Sequence, residues 1–365
     1  MSDGAKRKSS KVVFWLGCAS VAFVLMLVAV GAIMWWMLRR ERRETQEAQR
    51  LPAGWMDSVR ARYRLPPEVS QAALPHTEDG DAAALLGVGL SGGRDSVSRL
   101  RTRASTLLAQ GEAITAEDSA TIRATFADTT LDRFVRAARQ RRYQPQLPRL
   151  DTAASGLYPP FGSGPRIANL SWVSRAVVGL ALRVRARLDR RDLSTARTEI
   201  GALIGVGELM YQSEVTWLGL MVARTAIREG ARGLERYAAM ARDSAAAARV
   251  MAIRAWVSNR DRWSYFGAIY RYPDSALALA ADRSVPRGLR TEALGVGVQG
   301  SMLASAWRLV WGPPGRTLAS VRALESDTDP AVALAAEVGD STLTRVRRLG
   351  LVGRARLALG LVRRR

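Results

Sequence analysis

Between Val12 and Leu38 the chain carries no charged residue. As a helix rising about 1.5 Å per residue, this run would reach roughly 40 Å, more than the ~30 Å hydrocarbon core of a bilayer. Trp15 stands near one end and Trp35 and Trp36 near the other, where indoles settle at a membrane interface. Lys6, Arg7, Lys8 and Lys11 precede the run, and Arg39, Arg40, Arg42 and Arg43 follow it. Ionised side chains are costly inside hydrocarbon, so these clusters bound the span. A cleaved signal peptide has a shorter apolar core and ends in small residues. This run ends in Met34-Trp35-Trp36-Met37-Leu38, and Cys18 lies too near its start for a lipoprotein signal. The expectation is a basic tail over 1–11 and an uncleaved transmembrane anchor over 12–38.

Orientation is less constrained, because basic residues flank both ends. A long C-terminal domain can be exported largely regardless of its charge. The expected arrangement is a single-pass inner-membrane protein of a bacterium, with its N-terminus inside and its C-terminal domain periplasmic.

Lys and Arg total 55 against 33 Asp and Glu, a net charge of +22. Every basic residue after Lys11 is an arginine. A GC-rich genome accounts for arginine in place of lysine, but not for the excess charge. That excess attracts anionic lipid headgroups, acidic protein surfaces or nucleic acid. Nucleic acid would require the domain to face the cytoplasm, and is disfavoured by the expected orientation. With Cys18 as the one cysteine and His76 as the one histidine, the chain cannot form an intrachain disulfide, a Cys/His zinc site or a c-type haem attachment. No Gly-x-Ser-x-Gly nucleophile motif is present, and His76 reads as an exposed loop residue beside Glu78 and Asp79. No catalytic residue, metal or cofactor is expected.

Beyond the anchor the patterning is helical. Residues 39–80 read as a juxtamembrane stalk with a short helix over Asp57–Tyr63, stopped by Pro66-Pro67, and a loop over 75–80. A helical block follows over 81–142. Thr115 with Asp118 forms a capping-box-like start. Leu131, Phe134, Val135 and Ala138 keep the spacing of a buried face, with Arg133, Arg136, Arg139, Arg141 and Arg142 on a solvated one. Residues 143–168 are a Pro- and Gly-rich linker.

The second block, 169–340, is the most regular. Ser171 is placed to cap a helix burying Val173, Val177, Leu180, Val184 and Leu188. Arg190-Arg191-Asp192 turns the chain into a second helix from Leu193 to about Ile204. Ser213 is expected to cap a third, whose residues 215–227 are apolar nearly all round and therefore central. Further helices are expected over 231–240, 244–257, 275–281, 287–298, 302–310 and 330–338. Pro286 and Pro330 suit a first helical turn. No strand alternates convincingly, so the expected fold is all-α: a single transmembrane helix followed by a helical-repeat or bundle domain. Residues 341–365 are expected to be a separate basic amphipathic helix able to lie on anionic lipid or on the bundle.

Asp192-Leu193-Ser194-Thr195-Ala196 with Ile200 and Leu203 resembles the second helix of a tetratricopeptide repeat, where a small residue packs between helices. Arg183, Val184 and Arg187 depart from the pattern of the first helix, and the resemblance covers about one unit, 171–205. It implies stacked helical hairpins and a protein-binding surface.

Ser91-Gly92-Gly93-Arg94-Asp95-Ser96 resembles the phosphate loop of N-type ATP pyrophosphatases, and Gly87-x-Gly89-x-x-Gly92 resembles a dinucleotide fingerprint. Both need a preceding strand, for which Ala82–Leu90 is the candidate. The alternative reading, a nucleotide-binding enzyme, therefore rests on Gly87, Gly89, Ser91, Gly92, Gly93, Asp95 and Ser96.

Two clusters suit a partner. Arg260, Arg262, Trp263, Tyr265, Tyr270, Arg271 and Tyr272 interleave guanidinium and aromatic groups. Arg354, Arg356 and Arg363 belong to the basic C-terminus. With Trp15, Trp35, Trp36, Arg39 and Arg40 as membrane anchors, the chain reads as a membrane-anchored helical scaffold. Its expected role is that of an accessory or assembly-stabilising subunit of a larger membrane complex.

Overall fold

The computed structural model describes residues 54–87, 115–118, 120, 128–145, 165–258, 273–303, 315–349, 352, 353 and 356, with 25, 26, 28–33, 35 and 36 of the apolar run. The chain divides into two units, Met1–Ala53 and Gly54–Arg365. In the first, every described residue is helical and exposed. Among the described residues, no helix is long and apolar enough to cross a membrane. The ends of the expected span, including Trp15, Arg39 and Arg40, lie outside them.

The second unit is mostly helical; 81% of the described residues are in helices. Its elements are α1 (Trp55–Tyr63), α2 (Pro67–Ala72), β1 (Glu78–Asp81), α3 (Ala82–Leu86), α4 (Asp128–Ala138), β2 (Gln140–Arg142), α5 (Pro165–Asp189), α6 (Leu193–Ser213) and α7 (Trp217–Ala241). There follow α8 (Ser244–Ser258), α9 (Pro273–Ala281), α10 (Arg287–Leu303), α11 (Gly315–Leu324) and α12 (Pro330–Arg348).

Local chemistry sets many of the helix starts. Side chains of Asp81, Asp192, Thr216, Asp243 and Asp329 accept from backbone amides two or three residues on. Each such cap contributes about 1 kcal/mol by satisfying an amide that the helix leaves open. The capping box at Thr115 is present: Asp118 Oδ2 accepts from the Thr115 amide at 3.0 Å, and Thr115 Oγ1 accepts from the Asp118 amide at 3.0 Å.

The core sits around the α6–α7 hairpin, against which α5, α8, α4 and α10 pack. Val173, Val177, Leu180, Val184 and Leu188 of α5 are buried as their spacing predicts, as are Leu131, Phe134 and Ala138 of α4. Arg133, Arg136, Arg139, Arg141 and Arg142 are exposed. Burial of a large apolar side chain contributes about 1.5–3 kcal/mol. α6 and α7 approach closely because Gly207 replaces a side chain: a Cβ there would lie 2.8 Å from Ala223 O and 2.6 Å from Ile227 Cγ1. A second cluster, α9 to α12, joins through α10, which contacts both α6 and α7. Arg191, at φ 60°, makes the expected turn after α5.

Several expectations are corrected. Val59, Tyr63, Val69 and Ala72 are core residues, so 54–80, expected as part of the stalk, belongs to the helical unit. The short helix ends at Tyr63, before Pro66-Pro67 as expected, and Pro67 then starts α2. α5 begins at Pro165, inside the expected linker, and passes through Ser171. α6 runs on to Ser213, and Thr216 caps the next helix. α7 continues without a break through 231–240, because no residue there interrupts its backbone bonding. Residues 302–303 end α10, and 304–314 lie outside the described set. α11 forms over 315–324, where the sequence pattern predicts no separate helix. α12 passes the expected boundary at 341, burying Leu343 and Val346, and ends at Arg348.

The structure is consistent with the all-α expectation apart from one short pair of strands among the described residues. β1 and β2 form a parallel pair, with Glu78 opposite Gln140 and Asp81 opposite Arg142. Neither Glu-Asp-Gly-Asp nor Gln-Arg-Arg has strand propensity. Cross-strand polar bonds hold them instead: Arg141 Nη1 donates to Asp79 at 2.8 Å and Gln140 Nε2 to Glu78 at 2.6 Å.

Candidate functional site: the His76 joint

α2 gives way at Ala73 to an extended segment leading into β1. That segment runs along α6. The Leu74 amide donates to Gly201 O at 2.8 Å, and Arg197 Nη1 donates to Ala72 O at 3.2 Å. A Cβ on Gly201 would lie 3.1 Å from Leu74 N, and one on Gly205 would lie 3.5 Å from both Leu74 N and His76 Cε1. Two glycines one turn apart thus open a shallow groove on α6, and the segment occupies it.

His76 sits at the end of this groove with its side chain 25% exposed. Its Nδ1 lies 2.7 Å from Ala138 O, the last residue of α4. Its Nε2 lies 3.5 Å from Glu208 Oε2 on α6, a carboxylate 8% exposed. Ser70 Oγ of α2 donates to the other oxygen, Glu208 Oε1, which also has Gln212 Nε2 at 3.5 Å. The Glu208 carboxylate beside Nε2 raises the His76 pKa above its ordinary value. Burial opposes this, while the Ala138 carbonyl adds to it. His76 is therefore a joint between α2, α4 and α6, which corrects its reading as an exposed loop residue.

The joint lacks the order of a nucleophilic centre. A serine nucleophile must meet the imidazole that takes its proton. Here the carboxylate stands between Ser70 and His76, so neither activates the other. Among the described residues no three His, Cys, Asp or Glu side chains come together in a way that could hold a metal ion.

Two further charged nodes lie in the same unit. Glu199 of α6, with its side chain 4% exposed, meets Arg183 Nε at 3.0 Å and Arg187 Nε at 2.9 Å, both from α5. Arg183 also reaches Asp132 at 3.0 Å, and Arg187 reaches Asp192 at 3.1 Å. Burial pushes the Glu199 carboxyl upward against the pull of the two arginines. In the other node, Arg290 of α10 is 4% exposed. It donates to Ala280 O at 2.8 Å and to Asp327 at 2.5 Å, and lies 3.9 Å from Asp329. Arg287 binds Asp329 at 2.6 Å. In the same unit, Tyr143 OH donates to buried Glu214 at 2.8 Å, and Tyr211, edge-on to Trp256, donates to Tyr63 O at 2.8 Å.

Of the residues singled out from the sequence, Gly87 is described. It caps the end of α3 with right-handed φ −79°. The residues before it are therefore a helix, where both nucleotide motifs need a strand. Gly89, Ser91, Gly92, Gly93, Asp95 and Ser96 lie outside the described residues, as do Arg260, Arg262, Trp263, Tyr265, Tyr270, Arg271 and Tyr272. Trp35 and Trp36 are helical and exposed. Arg356 is helical and exposed, whereas Arg354 and Arg363 fall outside the described set.

Glu199, Glu208 and Arg290 are not among the site residues expected from the sequence. A usable signal was present for the first two: each is an acid within an apolar helical stretch, and a buried carboxylate requires a partner. The partners themselves are far off in sequence.

Compared with models of known protein families, with curated proteins and with solved structures, the chain matches none. Fold and joint together define a predominantly helical protein in which buried Glu199, Glu208 and Arg290 tie helices to one another.

Proposed function

We propose that the protein is a membrane-anchored helical scaffold, an accessory or assembly-stabilising subunit of a larger membrane complex. The observation that carries this is the surface of the helical residues between Leu25 and Trp36. Leu25 is 63% exposed, Val28 62%, Ile33 58% and Trp35 60%. Exposed apolar side chains of this kind are unfavourable in water and call for lipid or an apolar partner. The uncharged run from Val12 to Leu38 and its basic flanks make lipid the preferred surrounding.

The rest of the reading follows from the helical unit. Its charged nodes join helices to one another, which suits a body that displays surfaces rather than one that performs chemistry. The stacked hairpins of α5 to α8 would carry that display in a repeat-like manner, facing the periplasm from the inner membrane. The aromatic–arginine cluster over 260–272 and the arginines at 354, 356 and 363 are the proposed contacts for neighbouring subunits or anionic headgroups. No cofactor enters this reading. A nucleotide-binding alternative is weakened by α3, which stands where its strand would be.

Affinity purification of the full chain in mild detergent tests the proposal. The expected result is retention in carbonate-washed membranes and recovery with a stoichiometric set of membrane proteins. Recovery from the soluble fraction would overturn the anchor, and recovery of the chain alone would overturn the subunit role.

A further inference from the structure

His76 is the only histidine in the chain, and its surroundings dictate where its protons sit. A carbonyl oxygen can only accept, so the Nδ1 that lies 2.7 Å from Ala138 O carries a hydrogen and donates it. In a neutral ring Nε2 would then be a bare lone pair. That atom stands 3.5 Å from a carboxylate oxygen of Glu208. Two acceptors facing each other in a largely buried contact repel. A second proton on the ring turns the same contact into an attraction between imidazolium and carboxylate.

We propose that His76 is a proton-operated latch: protonated, it fastens the 67–81 arm to α4 and α6, and deprotonated, it lets that arm leave the Gly201–Gly205 groove.

The groups around the ring leave this role to one charge pair. From α6 it is faced by Glu208. From α2 comes Ser70, which is neutral and bound to the far oxygen of Glu208. From α4 comes the Ala138 carbonyl. The neighbouring Arg139 is directed to Glu78 of β1 at 3.9 Å, and Gln140 of β2 binds the same Glu78. The arm has other ties, none of them made by the imidazole: Leu74 N to Gly201 O, Arg197 to Ala72 O, Ser70 to Glu208, the pairing of β1 with β2 and its Arg141–Asp79 bridge, the packing of α2 on α8, and the burial of Val69 and Ala72. Release is accordingly local and leaves the α6–α7 core in place. The raised pKa of His76 sets the direction. Its stabilisation is fully present below the ordinary value of 6.5 and is lost as pH rises through the higher folded value. Opening would uncover the α6 groove and free Ser70 and Glu208 together.

The test uses the full chain in detergent micelles, labelled with 15N-histidine, so that one residue supplies the whole signal. Long-range 1H–15N correlation should show both ring nitrogens protonated at pH 6.5 and a titration midpoint above that of free histidine. Hydrogen–deuterium exchange, corrected for its intrinsic pH dependence, should show residues 69–81 losing protection through the same midpoint. Glu208→Gln, which keeps an acceptor but removes the charge, should bring the midpoint down. His76→Asn should abolish the pH step in protection. A wild-type ring titrating at or below 6.5, or a step that survives in His76→Asn, overturns the proposal. If neither variant folds, the wild type decides: coincidence of its two midpoints supports the latch, and their separation overturns it.

Discussion

Glu199 and Arg290 are charges of opposite sign buried to the same degree, each 4% exposed, yet they are held by different means. Glu199 relies on side chains alone. Its two arginines come from α5, and each also reaches a second, more exposed acid. Burial accordingly dominates, and the carboxyl lies above its ordinary range. Arg290 is served by Asp327 and Asp329, which also shape the start of α12. Asp327 accepts the Asp329 amide at 2.8 Å, and Asp329 accepts the Ala331 amide at 3.0 Å. Burial pushes the Asp327 carboxyl up, but the Asp329 amide and Arg290 outweigh it and leave it below the ordinary range. A buried charge is thus better satisfied when local backbone donors share the work with a distant side chain.

Three measurements would break or sharpen that contrast. The largest effect belongs to Arg290→Ala. It strands Asp327 in a buried site and leaves Ala280 O without its donor, so chemical denaturation should show a loss of about 3–5 kcal/mol. Glu199→Gln should cost only about 1 kcal/mol, since it removes a charge that burial already disfavours while Arg183 and Arg187 keep Asp132 and Asp192. Equal losses for the two variants would mean that the nodes do not differ as described. The smallest effect is the response to acid. Asp327, lowered from 3.8, contributes stability above that value, and this is lost as pH falls through its folded value. Glu199, raised from 4.5, contributes stability at low pH, and this is lost as pH rises through its folded value. Hydrogen exchange between pH 5 and pH 3 should therefore show loosening where α10 meets α12 and none where α5 meets α6. Loosening first at α5 and α6 would contradict the assigned directions.

How much could be read in advance follows the same division between near and far. The buried faces of α4 and α5 were legible because apolar spacing at i, i+3, i+4 and i+7 is a property of the helix itself. The capping box at Thr115 and the turn at Arg191 were legible because their bonds close within a few residues. Helix lengths were less so. α5, α7 and α12 all overran their expected ends, since a polar or small residue in the middle of a helix leaves no local mark of whether the helix stops. The His76 joint was not legible. Its contact with Ala138 spans 62 positions, and that of Ser70 with Glu208 spans 138. Nothing near His76 in the sequence suggests a buried acid, so its sequence neighbours alone point to solvent.

By itself, then, the sequence determined the helical character of the domain, the faces its helices bury, its excess positive charge, and the lack of a second cysteine and of a second histidine. Each of these follows from composition or from bonds closed within one or two turns. The tertiary structure alone decided that 54–80 joins the core, that two strands without strand propensity pair, and that a lone histidine meets a buried glutamate. Those outcomes depend on segments brought together from tens to hundreds of residues apart, where the gain from contact must exceed the entropy of closing the loop. No short window of residues records that balance.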